Sequence, residues 1–262
     1  AGGANALNVV NNGDIQVDSG YTPTQGGSAA ISVSAIDATP VNYSGTGNLV
    51  NLGTGDGLDI AATGSGAIVA NVDGDVSTIG PASGGIYLSS SGTGANLQLT
   101  TSSGRTIRSG GVVGEYLVIT NAASTGTLQL SNNASVASPV SAPNTLATGL
   151  FADQYGLGSV AVVNSGAIGS AADRLTSFGI SADILNAGST ATLSVLSGSG
   201  SIYADTGIRT VNVGSGASTV ITGSGLIAAN TFGIISSGTT GSIAVATGTG
   251  AVNASGVAGI CR

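Results

Sequence analysis

Short apolar bursts, each opened by a glycine, recur eight times along the chain and constrain its fold more than any other feature. Successive bursts start 28, 39, 32, 32, 30, 28 and 25 residues apart. Residues 198–222 and 223–247 also align with each other, with shifts of one residue. The chain is therefore built on an internal repeat of variable length. The bursts are GSAAISV from Gly27, GDGLDIA from Gly55, GANLQLT from Gly94, GTLQLS from Gly126, GSVAVVN from Gly158, GSTATLSV from Gly188, GASTVIT from Gly216 and GSIAVAT from Gly241.

The bursts predict β-strands. Apolar and polar residues alternate in Ile31-Ser32-Val33 and in Leu97-Gln98-Leu99, and no segment carries an apolar period of 3.6 residues long enough for a helix. Strands this short cannot bury their apolar side alone, but stacking one repeat on the next does bury it. The sequence predicts an all-β chain, residues 1–262, forming one parallel β-helix (β-solenoid) of about 8–9 coils. With coils stacked at about 4.8 Å, the rod is on the order of 40 Å long.

The composition fits a narrow interior. Hydrophobic residues make up 41% of the chain and aromatic residues only 3%, so small aliphatic side chains are expected to form the inward ladders. The 45 glycines are expected at the corners, where the backbone adopts conformations that other residues resist.

Charge excludes several classes of protein. Only 6% of the residues are charged and the net charge is −7, so the chain has no basic stripe for nucleic acid. No run approaches the ~18 apolar residues of a membrane-spanning helix, and we expect no membrane span within this chain. The single cysteine, Cys261, is expected to be a small buried residue rather than a reactive thiol.

The repeats resemble the glycine-rich repeats of autotransporter passenger domains, the secreted portions of outer-membrane autotransporters of Gram-negative bacteria. The resemblance covers roughly residues 27–260 and rests on NSGAI, FGIS, LNAGSTATLSV, SGSGSI and TGIRT between residues 164 and 210. It implies a right-handed parallel β-helix on the cell surface, often an adhesin or a self-association factor. No segment resembles the membrane β-barrel of that family. Because Arg262 ends the chain inside a repeat, we expect a fragment of a larger surface protein.

Catalytic and metal sites are not expected. The chain has no His and no Lys, and no Asp can be placed on one ladder with an Arg in successive repeats. The pairs Asp56 with Asp59 and Asp73 with Asp75 are interpreted as acidic turns, because the remaining ligands of a calcium loop are missing. We therefore expect no enzyme, no cofactor and no bound metal.

A candidate contact patch is expected around residues 134–158, predicted as a protruding loop. A shorter stretch at 172–178 is expected beside it in the next repeat. The alternative is that Phe151 and Phe178 fill a bulge in the core. The candidate patch consists of Phe151, Asp153, Gln154, Tyr155, Asp173, Arg174 and Phe178.

These observations favour a non-catalytic surface β-helix that acts in adhesion or in cell-cell self-association, outside the cell or on a bacterial surface. Its expected partners are a second copy of itself through lateral contact, or surface glycans or proteins of a host. One alternative is a passive stalk that displays another domain. A second, less favoured alternative is a polysaccharide-active β-helix enzyme. Ice binding is disfavoured because Thr100, Thr127 and Thr219 do not recur at one position of the repeat.

Overall fold

The computed structural model describes residues 5–19, 29–256 and 258–261. In this part of the chain every regular element is a β-strand, and none of it contains a helix that could span a membrane. The first twelve strands are β1 (Leu7–Asn11), β2 (Ile15–Val17), β3 (Ile31–Ala35), β4 (Val41–Gly45), β5 (Leu49–Asn51), β6 (Leu58–Ala62), β7 (Ile68–Val72), β8 (Val76–Thr78), β9 (Gly84–Ser90), β10 (Leu97–Thr101), β11 (Thr106–Arg108) and β12 (Val113–Ile119).

The remaining strands are β13 (Leu128–Asn132), β14 (Ser135–Ala137), β15 (Thr148–Gln154), β16 (Val160–Asn164), β17 (Leu175–Ile184), β18 (Leu193–Ser197), β19 (Ile202–Asn212), β20 (Ser218–Thr222), β21 (Ile227–Gly238), β22 (Ile243–Ala246), β23 (Val252–Ala254) and β24 (Ala258–Cys261).

The strands form three parallel sheets that wrap one core, and each turn of the chain, called a coil below, adds a strand to each sheet. The first sheet has the order β1-β4-β7-β10-β13-β16-β18-β20-β22. The second sheet has the order β2-β5-β8-β11-β14 and continues as bridges from Val136 through Ile168 to Ile202. The third sheet runs from β3 through β6, β9, β12, β15, β17 and β19 to β21, which pairs with both β23 and β24. The predicted parallel β-solenoid is confirmed, with about eight turns.

The repeat prediction was wrong about which strands are equivalent. The first two bursts are β3 and β6, which lie in the third sheet, whereas the bursts from Gly94 onward lie in the first sheet. The long separation of 39 residues arises because the second and third bursts lie on different sheets. True neighbours in the first sheet, such as Leu7 with Val41 and Leu193 with Ser218, are 34 to 25 residues apart.

Inward residues form aliphatic ladders, as expected. In the first sheet the ladder of Val41, Ile68, Leu97 and Leu128 is in register across successive coils, and all four side chains are fully buried. The ladder in the third sheet contains Ile86, Leu150, Ile180, Ile208 and Ile234. These ladders supply most of the apolar burial, which is the main favourable term in folding.

Polar side chains line one edge of the same interior. The Thr101 hydroxyl donates to Oδ1 of Asn132 at 2.8 Å, and Nδ2 of Asn132 donates to Oδ1 of Asn164 at 2.7 Å. Both amides also donate to backbone carbonyls, those of Ala134 and Gly166. The buried amides stack because each satisfies its neighbour on the next coil.

The role predicted for the glycines needs correction. Among the described glycines, only Gly104 and Gly169 have a positive φ, so conformational freedom explains few of them. Most are required by close approach to the neighbouring coil. A Cβ atom on Gly149 would lie 2.6 Å from the carbonyl oxygen of Gly179 and 2.6 Å from Cγ2 of Ile168. The glycines at this register position of the third sheet are Gly85, Gly114, Gly149, Gly179 and Gly207.

Candidate functional site

Three aromatic side chains stack on the outer surface of the third sheet. Tyr87, Tyr116 and Phe151 are in register on β9, β12 and β15. The ring centroids of Tyr87 and Tyr116 are 5.2 Å apart with a tilt of 56°, and those of Tyr116 and Phe151 are 5.0 Å apart and nearly parallel at 17°. We call these three residues the aromatic row. The row exists because each ring sits between two inward neighbours, so that the pleat turns it outward.

A cavity of about 400 Å³ opens beside the aromatic row. Its other walls come from the turns that precede β9 and β12, and no arginine is among its lining residues. The lining residues are Asp56, Ala82, Gly84, Tyr87, Val112, Val113, Tyr116 and Phe151. The cavity thus combines aromatic rings, aliphatic side chains and one carboxylate.

Two carboxylates lie at one end of the row. Oδ1 of Asp56 accepts a hydrogen bond from the backbone N–H of Gly84, and Asp59 is in register with Tyr87. Burial, and then the charge of Asp56, raises the pKa of Asp59 to about 6, and Oδ1 of Asp59 is buried without a hydrogen-bond partner in the described chain. Burial and both carboxylates also raise the pKa of Tyr87. This end of the row is therefore negative and has no cationic partner among its lining residues.

A second acidic cluster lies further along the same sheet. Asp153 and Asp183 are in register on β15 and β17, and Arg209 on β19 forms an ion pair with Oδ2 of Asp183. The expectation that no Asp shares a ladder region with an Arg in successive repeats is therefore wrong. It failed because the outward positions 153 and 183 align only after the turns between the strands are placed.

Burial decides what the second cluster can do. The side chains of Asp153 and Asp183 are only 5% and 3% exposed, and the Tyr116 hydroxyl donates to Oδ2 of Asp153 at 3.0 Å. Burial raises the pKa of Asp153 to about 6, with a further contribution from the charge of Asp183. Burial also raises the pKa of Asp183, against the opposing effect of Arg209. The covered carboxyl groups favour a structural role for this pair over contact with a substrate.

The residues of the predicted contact patch do not all share one surface. Alternation in β15 turns Phe151 and Asp153 outward, with Tyr155 just beyond the strand and 42% exposed. Gln154 points inward and is fully buried, because its amide donates to the carbonyl of Gly126 and accepts from the N–H of Gly156. Phe178 joins the outer cluster through the Arg209 guanidinium, which lies 5.3 Å from its ring centroid.

Asp173 and Arg174 lie elsewhere, where they tie neighbouring coils together. The carboxylate of Asp173 accepts hydrogen bonds from the backbone N–H groups of Ser138 and Asn144. The guanidinium of Arg174 donates to the carbonyls of Ala204 and Ala228. Segment 134–158, predicted as a protruding loop, contains β14 and β15, with residues 138–147 as the irregular connection between them.

The other predicted acidic turn is tied to neighbouring structure. Asp73 forms an ion pair with Arg105 at 3.2 Å, and Asp75 accepts a hydrogen bond from the backbone N–H of Thr106. Both carboxylates therefore have partners on the next coil.

Glu115 is a buried acid that the sequence analysis missed. It occupies the inward ladder position between Ile86 and Leu150 and is fully buried. Burial raises its pKa to about 8, with Thr101 acting in the opposite direction, and neither carboxyl oxygen has a hydrogen-bond partner in residues 5–19, 29–256 and 258–261. The alternation of Glu115 with Leu117 and Ile119 was the signal that could have located it inside.

The first sheet offers a different surface, which is flat and uncharged. None of its nine described strands contains an Asp, Glu, Lys or Arg. Its outward side carries Asn, Gln, Ser and Thr in the earlier coils. In the later coils, Val163, Leu196 and Ile221 are in register and are 38%, 42% and 43% exposed. We call these three residues the apolar stripe.

Comparisons with protein-family models, with curated proteins and with solved structures find no match to this chain. The fold therefore rests on the strand pairing itself, which identifies the chain as a parallel β-solenoid of about eight turns.

Proposed function

We propose that this chain is a non-catalytic adhesion protein of the bacterial surface that self-associates side by side through its first sheet. It would act as part of an autotransporter-like secreted protein. The observation that carries the proposal is the uncharged first sheet with its exposed apolar stripe. Surface charge normally keeps soluble proteins apart, and its absence here leaves a face on which a second rod meets no electrostatic repulsion.

The size of the face is sufficient for a specific contact. Nine strands at ~4.8 Å spacing and about five residues per strand give a face of roughly 40 by 16 Å, on the order of 600 Å². A standard interface buries about 800 Å² on each partner, so pairing of two first sheets approaches that class. The apolar stripe would form its centre, and the outward amides and hydroxyls of the earlier coils would form hydrogen bonds between the rods.

The test is sedimentation of the purified chain over a range of concentrations. We expect association that added salt does not weaken and that urea does weaken. Leu196→Asp should reduce the association constant at least tenfold, because it places a charge in the centre of the stripe. Ser34→Asp is the matched control, since it adds the same charge at an exposed outward position of the third sheet. A chain that stays monomeric at high concentration would favour the passive stalk.

A polysaccharide-active enzyme is the alternative that the Asp153, Asp183 and Arg209 cluster brings back into view. The burial of both carboxyl groups makes it the weaker candidate. Release of new reducing ends or unsaturated ends from polyuronides by the purified chain, lost in Asp183→Asn, would replace the adhesion proposal.

A further inference from the structure

We propose that the cavity beside the aromatic row binds a small organic cation of the quaternary ammonium class, with Tyr87 and Tyr116 against its methyl groups and Asp56 and Asp59 balancing its charge. The site lies on the third sheet, so the inference does not depend on association through the first sheet.

The rings supply the first requirement. Cations are attracted to the negative face of an aromatic ring, and the attraction strengthens where water is excluded. The near-parallel stacking of Tyr116 and Phe151 covers the faces that they turn to each other. The tilt of 56° between Tyr87 and Tyr116 leaves ring face uncovered at the part of the row nearest the carboxylates.

The charge at that end supplies the second requirement. Asp56 lines the cavity, and Asp59 neighbours the Tyr87 ring with a buried oxygen that lacks a hydrogen-bond partner in the described chain. The described arginines are engaged elsewhere: Arg105 with Asp73, Arg108 with the Ser138 carbonyl, Arg174 with two carbonyls and Arg209 with Asp183. A bound cation would compensate these two carboxylates, which nothing that lines the cavity does.

The remaining walls select among cations. Val112, Val113 and Ala82 present aliphatic surface, which suits N-methyl groups and does not hydrogen-bond the N–H groups of a primary ammonium ion. A neutral sugar would use the rings and a carboxylate as acceptor, but it would leave the charge of the acidic pair uncompensated. The chemistry of the cavity as a whole therefore favours a methylated ammonium ion.

The experiment compares choline with 3,3-dimethylbutan-1-ol, its uncharged counterpart in which carbon replaces nitrogen. Binding is followed by titration with detection by NMR of the chain. We expect choline to bind at least tenfold more tightly than the alcohol. Equal binding of the two, stronger binding of methyl glucoside than of choline, or no saturable binding of choline at millimolar concentrations would each overturn the proposal.

Variants separate the charge from the rings. Asp59→Asn should weaken choline binding at least tenfold while leaving the fold intact, because it removes a partly buried charge without changing shape. Asp18→Asn is the matched control, since it removes an exposed carboxylate that bonds Gln16 on the second sheet. Tyr87→Leu should weaken binding and Tyr87→Phe should preserve it. Should Tyr87→Leu fail to fold, the Asp59 and Tyr87→Phe results decide; unchanged affinity in Asp59→Asn contradicts the site.

Discussion

Asp153 lies directly beside Asp183 on the next coil, and the Oδ1 atoms of both carboxyl groups are buried without hydrogen-bond partners in the described chain. Two like charges in this arrangement repel each other, and burial adds a desolvation penalty. The ion pair with Arg209 compensates Asp183 more than Asp153. The pair is therefore a source of instability once both groups are ionised.

Replacing Asp153 with Asn is expected to stabilise the protein above pH 6. The folded pKa of about 6 exceeds the ordinary value of 3.8, so between these values the unfolded chain loses its proton first and the free energy of unfolding falls as pH rises. Asp153→Asn should remove this loss, on the order of 1 to 3 kcal/mol, and should change little at pH 3. Urea unfolding at both pH values measures it. Lower stability of the variant at pH 8 would mean that the ionised carboxylate is favourable.

Glu115 predicts a second pH dependence at higher pH. Its pKa of about 8 in the folded chain lies above the ordinary 4.5, so the stability present below pH 4.5 is lost as pH rises through 8. Glu115→Gln should remove this loss, on the order of 4 kcal/mol at pH 9, and should leave stability at pH 4 nearly unchanged. Thermal unfolding from pH 4 to pH 9 measures it. Identical pH profiles for the two proteins would show that the carboxyl group reaches water.

Glu115→Leu extends the same test. Leucine matches the neighbours Ile86 and Leu150 in the ladder, so this variant should exceed the wild type in stability at neutral pH as well. A destabilised Leu variant would instead assign the carboxyl group a favourable hydrogen bond.

The stacked glycines predict a strong effect of one added methyl group. A Cβ on Gly149 would clash with the Gly179 carbonyl and with Ile168, whereas a Cβ on Gly94 would have no atom within 4 Å. Gly149→Ala should cost about 1 to 3 kcal/mol or more because the coils must move apart. Gly94→Ala should be neutral or slightly stabilising. Denaturant unfolding compares them, and equal midpoints would contradict the close coil stacking.

The buried amide stack predicts a further asymmetry. Asn132 exchanges hydrogen bonds with Thr101 and Asn164 inside the solenoid, whereas Asn42 meets Asn8 on the exposed side of the first sheet. Asn132→Ala should destabilise the protein by roughly 2 to 4 kcal/mol, since it leaves buried partners unsatisfied. Asn42→Ala should change stability by less than about 0.5 kcal/mol. A mild effect at Asn132 would indicate that water replaces its amide.

The walls of the solenoid were predictable from the sequence, but their assignment to sheets was not. Leu58-Asp59-Ile60 and Leu97-Gln98-Leu99 have the same alternation, yet the first lies in the third sheet and the second in the first sheet. Alternation reports which side of a strand faces the core, and it does so identically on every sheet. The sheet depends on the lengths and shapes of the turns, which the pattern does not encode.

The same limit applies to the candidate sites. Phe151 was noticed because it lies near prolines, but Tyr87 and Tyr116 were missed, since 29 and 35 residues separate the members of the row in sequence. Only the register of β9, β12 and β15 brings the three rings together. Gln154 was misplaced for a simpler reason: the alternation that turns Asp153 outward turns its neighbour inward.

Distance measurement between spin labels along the first sheet tests the solenoid, on which both proposals rest, most directly. Labels at Asn42 and Thr219 span six steps of the sheet order, and labels at Gln98 and Thr219 span four, with Cys261→Ser removing the native thiol. At about 4.8 Å per coil, the backbone separations are roughly 29 and 19 Å. In samples diluted with unlabelled protein, we expect the two distances to differ by about 10 Å, two coil spacings. Equal distances, or a longer separation for the pair at Gln98, would contradict the stacking of the coils.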